Sequence, residues 1–258
     1  MQQYADLLID AVEWARRAGA IQLEYFRSHH LDVKVKQNES DIVTKADRMS
    51  DALITENIRR RYPDHSILAE ESGADQRTGD FQWVIDPLDG TTNYTAGLPT
   101  FAVSIGINFK GKPVVGVVFA PYLNELFTAV AGEGAMLNGE PIRVRENDRL
   151  DRAVLSTGFP VDRRENPDDN VKEFHRVLTE ARAVRCLGAA SMDLCYTAAG
   201  VLDGFWEMNL HEWDVAAGAL IVEEAGGKVT RYRDDRNVGI LAATPPIFQQ
   251  VLPLITPK

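Results

Sequence analysis

The apolar positions change period several times along the chain, and each change marks an element. Over residues 4–25, Leu8, Ala11, Val12, Ala15 and Ala18 recur at helical spacing among Asp6, Asp10, Glu13, Arg16, Arg17 and Glu24, which predicts an amphipathic helix with a small-residue stripe. A short strand is expected at 33–36. Thr44, with Asp47 three residues on, has the form of a helix N-cap with an acid in the first turn; Met49, Leu53, Ile54 and Ile58 supply the apolar face. Arg59, Arg60 and Arg61 close that helix as a solvated end or, alternatively, a phosphate-binding cluster, before Tyr62-Pro63-Asp64 breaks it.

Two buried strands are then predicted at 66–69 and 81–85, joined by a polar loop over 73–80. Each ends in acids: Glu70-Glu71-Ser72 after the first, Asp86-Pro87-Leu88-Asp89-Gly90-Thr91-Thr92-Asn93 after the second. Strands at 101–107, 114–119 and 126–130, with turns at 110–112 and 122–125, predict an antiparallel meander, extended by hairpin turns at Gly132-Glu133-Gly134 and Leu137-Asn138-Gly139. Beyond the charged stretch 145–152 the grammar becomes that of an α/β protein. Strands at 153–156, 184–187 and 204–207 alternate with helices at 171–183 and 191–199. A buried helix over 215–222 follows, introduced by His211-Glu212-Trp213-Asp214, then final strands over 228–243 and a short helix from Pro245-Pro246.

Composition narrows the class. A chain of 258 residues, 45% hydrophobic and 26% charged, can bury a sizeable core, and one domain over 1–258 is the simplest division, with an N-terminal part to about residue 150 and a C-terminal part after it. The formal charge of −10 argues against nonspecific binding to nucleic acid or an anionic membrane, but not against a phosphate substrate, because a bound cation can invert the local field. Cys186 and Cys195 are too few for a disulfide framework and read as free thiols in a reducing compartment, hence a cytoplasmic protein. No signal peptide or membrane span is expected at the N-terminus.

The chemistry concentrates at the strand exits. The stretch from Asp86 to Asn93 reads by itself either as a surface turn, since Asp-Pro and Asp-Gly are turn formers, or as an oxygen-rich site for a hard cation such as Mg²⁺. If the two strands are neighbours, Glu70 joins it. Asp214, in the first turn of its helix, is a cap or a further ligand. Gly106 to Lys112 almost spells a phosphate-binding loop, yet Pro113 stands where Ser or Thr is required and strands follow, so a nucleotide site is rejected. His29, His30, His65, His175 and His211 have no zinc-ligand spacing; His211 reads as structural.

Ala69-Glu70-Glu71-Ser72, Asp86-Pro87-Leu88-Asp89-Gly90-Thr91-Thr92-Asn93-Tyr94 and Trp213-Asp214-Val215-Ala216-Ala217-Gly218, in this order, resemble the three signature motifs of the inositol monophosphatase family, and the resemblance extends over essentially the whole chain. It implies an αβαβα layered sandwich, with one antiparallel meander sheet, a second mixed sheet and flanking helices. It also implies Mg²⁺-dependent hydrolysis of phosphate monoesters, lithium sensitivity and a homodimer. Carried over, Glu70, Asp86 and the Leu88 carbonyl would hold one Mg²⁺, Asp86, Asp89 and Asp214 a second, and Glu70 would face a weaker third with Asp47 and Thr91 ordering a water. Glu70 and Thr91 would activate the attacking water, with Asp47 in support. Asp89, Gly90, Thr91 and Thr92 would meet the phosphate end of the substrate, and Gly90 would allow its close approach. Glu207, Asp214, Gly188, Ala189 and Ala190 would meet the polyol, with Arg185 nearby as a partner of a phosphate or a hydroxyl.

Gly188-Ala189-Ala190 departs from the family's commoner Gly-Ser/Thr-Ala, which removes one hydroxyl from that turn. Thr92-Asn93 leans towards inositol 1-phosphate, with fructose 1,6-bisphosphatase, histidinol-phosphatase or broad sugar-phosphatase activity as alternatives. A regulatory, partner-binding protein on the same fold is the alternative of another class.

Overall fold

The computed structural model describes residues 4–28, 31–36, 42–233 and 235–256; His29 and His30, read above for ligand spacing, lie outside these residues. The N-terminal helix α1 (Ala5–Tyr25) buries Leu7, Ala11, Trp14, Ala15 and Ala18, so the small-residue stripe is anchored by Trp14, whose ring lies 5.3 Å from that of Trp83. Leu8 and Val12 sit at its margin. A two-stranded ribbon, β1 (Lys34–Val35) and β2 (Ile42–Val43), leads to α2 (Lys45–Arg61). Thr44 caps α2 as its sequence predicts: its backbone N–H donates to Asp47 Oδ2 at 2.9 Å, and its hydroxyl oxygen accepts from the Ala46 N–H. Ile54 and Ile58 carry the buried face of α2, while Met49 is exposed.

The first sheet contains β3 (Ser66–Ala69), β4 (Gly73–Asp75) and β5 (Phe81–Asp89), followed after α3 (Thr91–Ala96) by β6 (Ala102–Phe109), β7 (Lys112–Ala120), β8 (Glu125–Val130), β9 (Gly134–Leu137) and β10 (Glu140–Ile142). Its order is β10-β9-β8-β7-β6-β5-β3-β4. Two expectations change here. The polar loop after Glu71 contains an edge strand, β4, which turns back antiparallel on β3. The sheet is an antiparallel meander from β5 onward, but β3 pairs β5 in parallel, with Ala69 opposite Ile85. That one parallel pair brings the acidic exits of both strands to the same edge.

The second half adds β11 (Val154–Thr157), α4 (Val171–Leu178), β12 (Ala183–Arg185), α5 (Ala190–Ala198), β13 (Gly204–Leu210), α6 (Glu212–Glu224), β14 (Lys228–Arg233), β15 (Val238–Ala243) and α7 (Pro245–Ile255). The five strands form a mixed sheet in the order β12-β11-β13-β15-β14, parallel around β11 and antiparallel around β15. Helix α4 stops short of the predicted Ala183, because the Ala183 N–H is drawn to the Ala153 carbonyl at the start of the β11 ladder.

Helices α1 and α2 cover one face of the first sheet, α5 and α6 fill the space between the sheets, and α4 and α7 cover the far face of the second. This is the αβαβα sandwich. Helix α6 lies unusually close to the first sheet over a cross-strand pair of glycines, Gly106 and Gly116. A Cβ on Gly116 would stand 2.7 Å from the Ala217 carbonyl oxygen, and one on Gly106 2.8 Å from the Ala216 Cβ. The near-miss phosphate loop is thus a hairpin whose first glycine seats a helix. The first turn of α6 carries Asp214 towards the β5 edge.

Candidate active site

Pro87 has no N–H to give the sheet, and the chain absorbs it as a bulge: Asp86 pairs Ser104 and Asp89 pairs Ala102, leaving one extra residue on β5. The Asp86 to Asp89 stretch is therefore a bulged strand end rather than the tight turn that its Asp-Pro and Asp-Gly pairs suggest. The bulge is fixed from both sides. Asp86 Oδ1 accepts from the Leu88 N–H at 2.9 Å, and Gln22 Nε2 on α1 donates to the Pro87 carbonyl at 2.7 Å. Gly90 follows with φ 86°, and a Cβ there would meet the Thr100 carbonyl oxygen at 2.9 Å. Glycine is required by the backbone itself, independently of any ligand.

Around this bulge the fold gathers the predicted acids. The Glu70 N–H donates to the Ile85 carbonyl, placing Glu70 beside Asp86. Burial, then repulsion from Glu70, Asp89 and Asp214, pushes the Asp86 carboxyl well above its ordinary range, and a hydrogen bond with Glu70 acts in the same direction. Burial likewise raises Asp214, reinforced by Asp89, although the His211 N–H donates to Asp214 Oδ2 at 2.6 Å. Asp89 is pushed up to about 6 by burial, against hydrogen bonds from the Ser191 amide at 2.7 Å and hydroxyl at 2.5 Å. Asp47, also raised to about 6 by burial, receives the Thr91 hydroxyl at 3.0 Å; the Leu88 carbonyl is 3.1 Å from the same oxygen of Thr91.

A buried nest of carboxylates that repel one another is short of positive charge. Lys36 supplies part of it, its Nζ lying 2.8 Å from Glu70 Oε1 and 2.5 Å from Glu71 Oε1. The donor set, carboxylates plus the Leu88 carbonyl, is that of a hard divalent cation. Among the described residues no three His, Cys, Asp or Glu side chains form a ready-made metal cage. In this arrangement Glu70 also engages Lys36, and Asp89 engages Ser191.

The nest opens into two adjoining hollows of about 550 and 540 Å³. Asp89, Thr92, Gly188, Ala189 and Ala190 line the first, Glu70 and Lys36 the second, and Glu207 and Asp214 both. Glu207 stands at an irregularity in β13, its carboxyl raised well above the ordinary range by burial and then by Asp193, Asp214 and Asp89. Arg185 is the predicted residue that the fold leaves apart. It is exposed on the edge strand β12, hydrogen-bonds the Val184 carbonyl, and lines neither hollow; Cys186 and Arg163 line the first instead.

Two polar residues escape the sequence reading. Ser191 holds Asp89, so a hydroxyl still serves this region although Ala189 and Ala190 lack one. Asn93 donates to the Thr100 and Leu187 carbonyls at 2.8 and 2.7 Å, tying the Gly188 turn to the bulge. Asn93 lies within the quoted motif, but its partners are visible only in the fold. His211, read as structural, stacks on Trp213 at 4.6 Å and gives its N–H to Asp214.

The sequence profile of the inositol monophosphatase family matches residues 3–253. Nus factor SuhB of Pasteurella multocida is 44% identical over 96% of this chain and 94% of its own length. Inositol-1-monophosphatase of Synechocystis sp. is 44% identical over 84% of this chain and 83% of its own. Among solved structures, inositol monophosphatase from Anabaena (Nostoc) sp. PCC 7120 superposes with a TM-score of 0.86 at 41% identity, covering 97% of this chain and 95% of that one. With its layered fold, its acid-lined cleft and this similarity along its length, the chain belongs to the inositol monophosphatase family.

Proposed function

We propose that the protein is a Mg²⁺-dependent phosphatase of polyol monoesters, with inositol 1-phosphate as its principal substrate. The observation that carries this reading is the convergence of Glu70, Asp86, Asp89 and Asp214 from three separate elements on one buried, mutually repelling nest. Glu70, Asp86, the Leu88 carbonyl, Asp89 and Asp214 would hold two Mg²⁺ ions, with a third near Glu70 and Asp47. Bound there, such ions supply charge to a phosphoryl group in transfer and acidify water.

The chain's own residues do the rest. Thr91, held by Asp47, and Glu70 orient the attacking water and take its proton. The amides of Gly90 and Thr91 and the Thr92 hydroxyl lie at the phosphate end. Glu207 and Asp214 accept hydrogen bonds from polyol hydroxyls, while Gly188, Ala189 and Ala190 form the flat wall beside the ring. Among the described residues no helix is long and apolar enough to cross a membrane. A cytoplasmic, lithium-sensitive homodimer is part of the same proposal.

The name Nus factor SuhB, carried by a relative 44% identical, favours a second reading, a partner-binding regulator on this fold. The acids are retained in full, which favours catalysis. The deciding assay is phosphate release from inositol 1-phosphate, fructose 1,6-bisphosphate and histidinol phosphate, with and without Mg²⁺. Turnover of the first above the others supports the proposal; no metal-dependent turnover of any ester would remove it.

A further inference from the structure

One irregular segment, residues 158–170 between β11 and α4, borders both hollows of the cleft, together with Glu207, Leu210 and Asp214. Phe159 and Val161 line both hollows, and Arg163 reaches the first. Such a segment has no ladder to hold it, and ordering its backbone costs conformational entropy. Its fastening is therefore informative. At its C-terminal end Asn170, fully buried, donates to the Thr157 hydroxyl and the Gly158 carbonyl at 2.8 and 2.6 Å and accepts the Trp206 indole N–H at 2.9 Å.

Its middle is held by two arginines from the β14–β15 hairpin. Arg236 Nη2 meets both oxygens of Asp162, at 2.7 and 2.6 Å, and its Nη1 bonds the Asp168 carbonyl. Arg233 takes Asp168 in a fork, at 3.0 and 2.6 Å. The arginine side chains are only 16% and 9% exposed, while Asp162 and Asp168 are 37% and 38% exposed, so these are charge-assisted pairs with the guanidinium side buried and the carboxylate side open to solvent. Asn209 adds a longer contact to Asp162 at 3.4 Å and is itself held by Asn237 at 2.9 Å. Neither arginine lines the cleft.

We propose that residues 158–169 are the specificity wall of the cleft, that the Asp162–Arg236 pair positions that wall, and that it acts on the polyol end of the substrate and not on the phosphate end. The inference rests on the phosphatase reading above. The phosphate end is built by the β5 bulge, which is packed into the first core, and Asp214 at the head of α6 stands between the two ends. The wall belongs to neither core. Its loosening costs recognition of the polyol while the acid nest stays assembled, so Arg236 acts through KM. Arg236 is a positioning residue, since it touches neither substrate nor the acids.

The test uses the full chain with Mg²⁺ and compares wild type with Arg236→Gln and Arg236→Lys. For Arg236→Gln the expected result is a KM for inositol 1-phosphate raised on the order of tenfold with kcat within about twofold. Inhibition by inorganic phosphate should be unchanged. Hydrogen exchange should accelerate at residues 159–169 and not in β5 or α6. Arg236→Lys, which keeps the charge at Asp162 but loses the second nitrogen that bonds the Asp168 carbonyl, should recover part of the KM. An unchanged KM alongside faster exchange would overturn the wall as a specificity element. A joint fall in kcat and phosphate affinity would reduce Arg236 to a structural role. Failure of the wild type to turn over any ester would remove the proposed function and this inference with it.

Discussion

Thr91 and Asp47, 44 positions apart, meet through a 3.0 Å hydrogen bond in which the Thr91 hydroxyl is the donor. The same hydroxyl lies 3.1 Å from the Leu88 carbonyl, and with one proton it serves one acceptor at a time. Donation to Asp47 leaves its lone pairs free to accept from water. Thr91→Ala should lower kcat by about 10²–10⁴, the range of a positioned proton-transfer group, while Thr91→Ser keeps most of it. Steady-state kinetics with Mg²⁺ decide this; near-normal kcat in the alanine variant would take Thr91 out of the reaction.

Asp89 separates charge from hydrogen bonding. Its Oδ2 accepts from Ser191, a role that an amide oxygen can fill, so Asp89→Asn should fold normally and yet lose turnover. Wild type should also gain about 2.7 kcal/mol of stability at Mg²⁺ a hundredfold above Kd, a gain the variant lacks. Thermal melts with and without Mg²⁺ measure it. A variant that is stabilised like wild type, or that turns over normally, would remove Asp89 from the metal site.

The glycine pair beneath α6 links packing to the site. Gly116→Ala places a Cβ 2.7 Å from a backbone oxygen of α6, which cannot rotate away. Overpacking of this kind costs about 1–3 kcal/mol, and because Asp214 rides on α6, kcat should fall as well. Urea unfolding and kinetics of the same preparation test this, and an unchanged midpoint would show that α6 can lift off the sheet freely.

His65 makes stability depend on pH away from the site. Its Nδ1 accepts the Trp83 indole N–H at 3.0 Å, and its ring stacks on Tyr62 and Phe81, each at 4.7 Å. Burial lowers its pKa from the ordinary value, against a smaller opposing pull from Asp64. The folded state therefore binds fewer protons than the unfolded one as pH falls through the ordinary histidine range of about 6.5, and stability declines there. Below the depressed folded value the contribution levels off. Urea midpoints of wild type should fall between neutral pH and that value more steeply than those of His65→Phe, which has nothing to titrate. Parallel slopes would refute the assignment.

Much of the architecture was legible because it is local. The Thr44–Asp47 cap, the Asn138-Gly139 hairpin and the change from period-two strands to alternating strands and helices follow from turn chemistry and periodicity within a few residues. The acids were legible as strand-exit and helix-start positions. Arg185, which the resemblance places near the substrate, ends the edge strand β12 with its side chain exposed, while Cys186, just past the strand, lines the cleft.

By itself, then, the sequence determined the order of the main strands and helices, the layered class and the family resemblance with the acids in its motifs, since these depend on short-range pattern and on motifs written contiguously in the chain. Only the tertiary structure decided that β3 runs parallel to β5, that Pro87 makes a bulge rather than a turn, that Ser191 and Asn93 hold the site, and that Arg236 reaches Asp162 across 74 positions. Those contacts close long loops, and the free energy that selects them comes from burying the two cores together, which no local stretch of sequence contains.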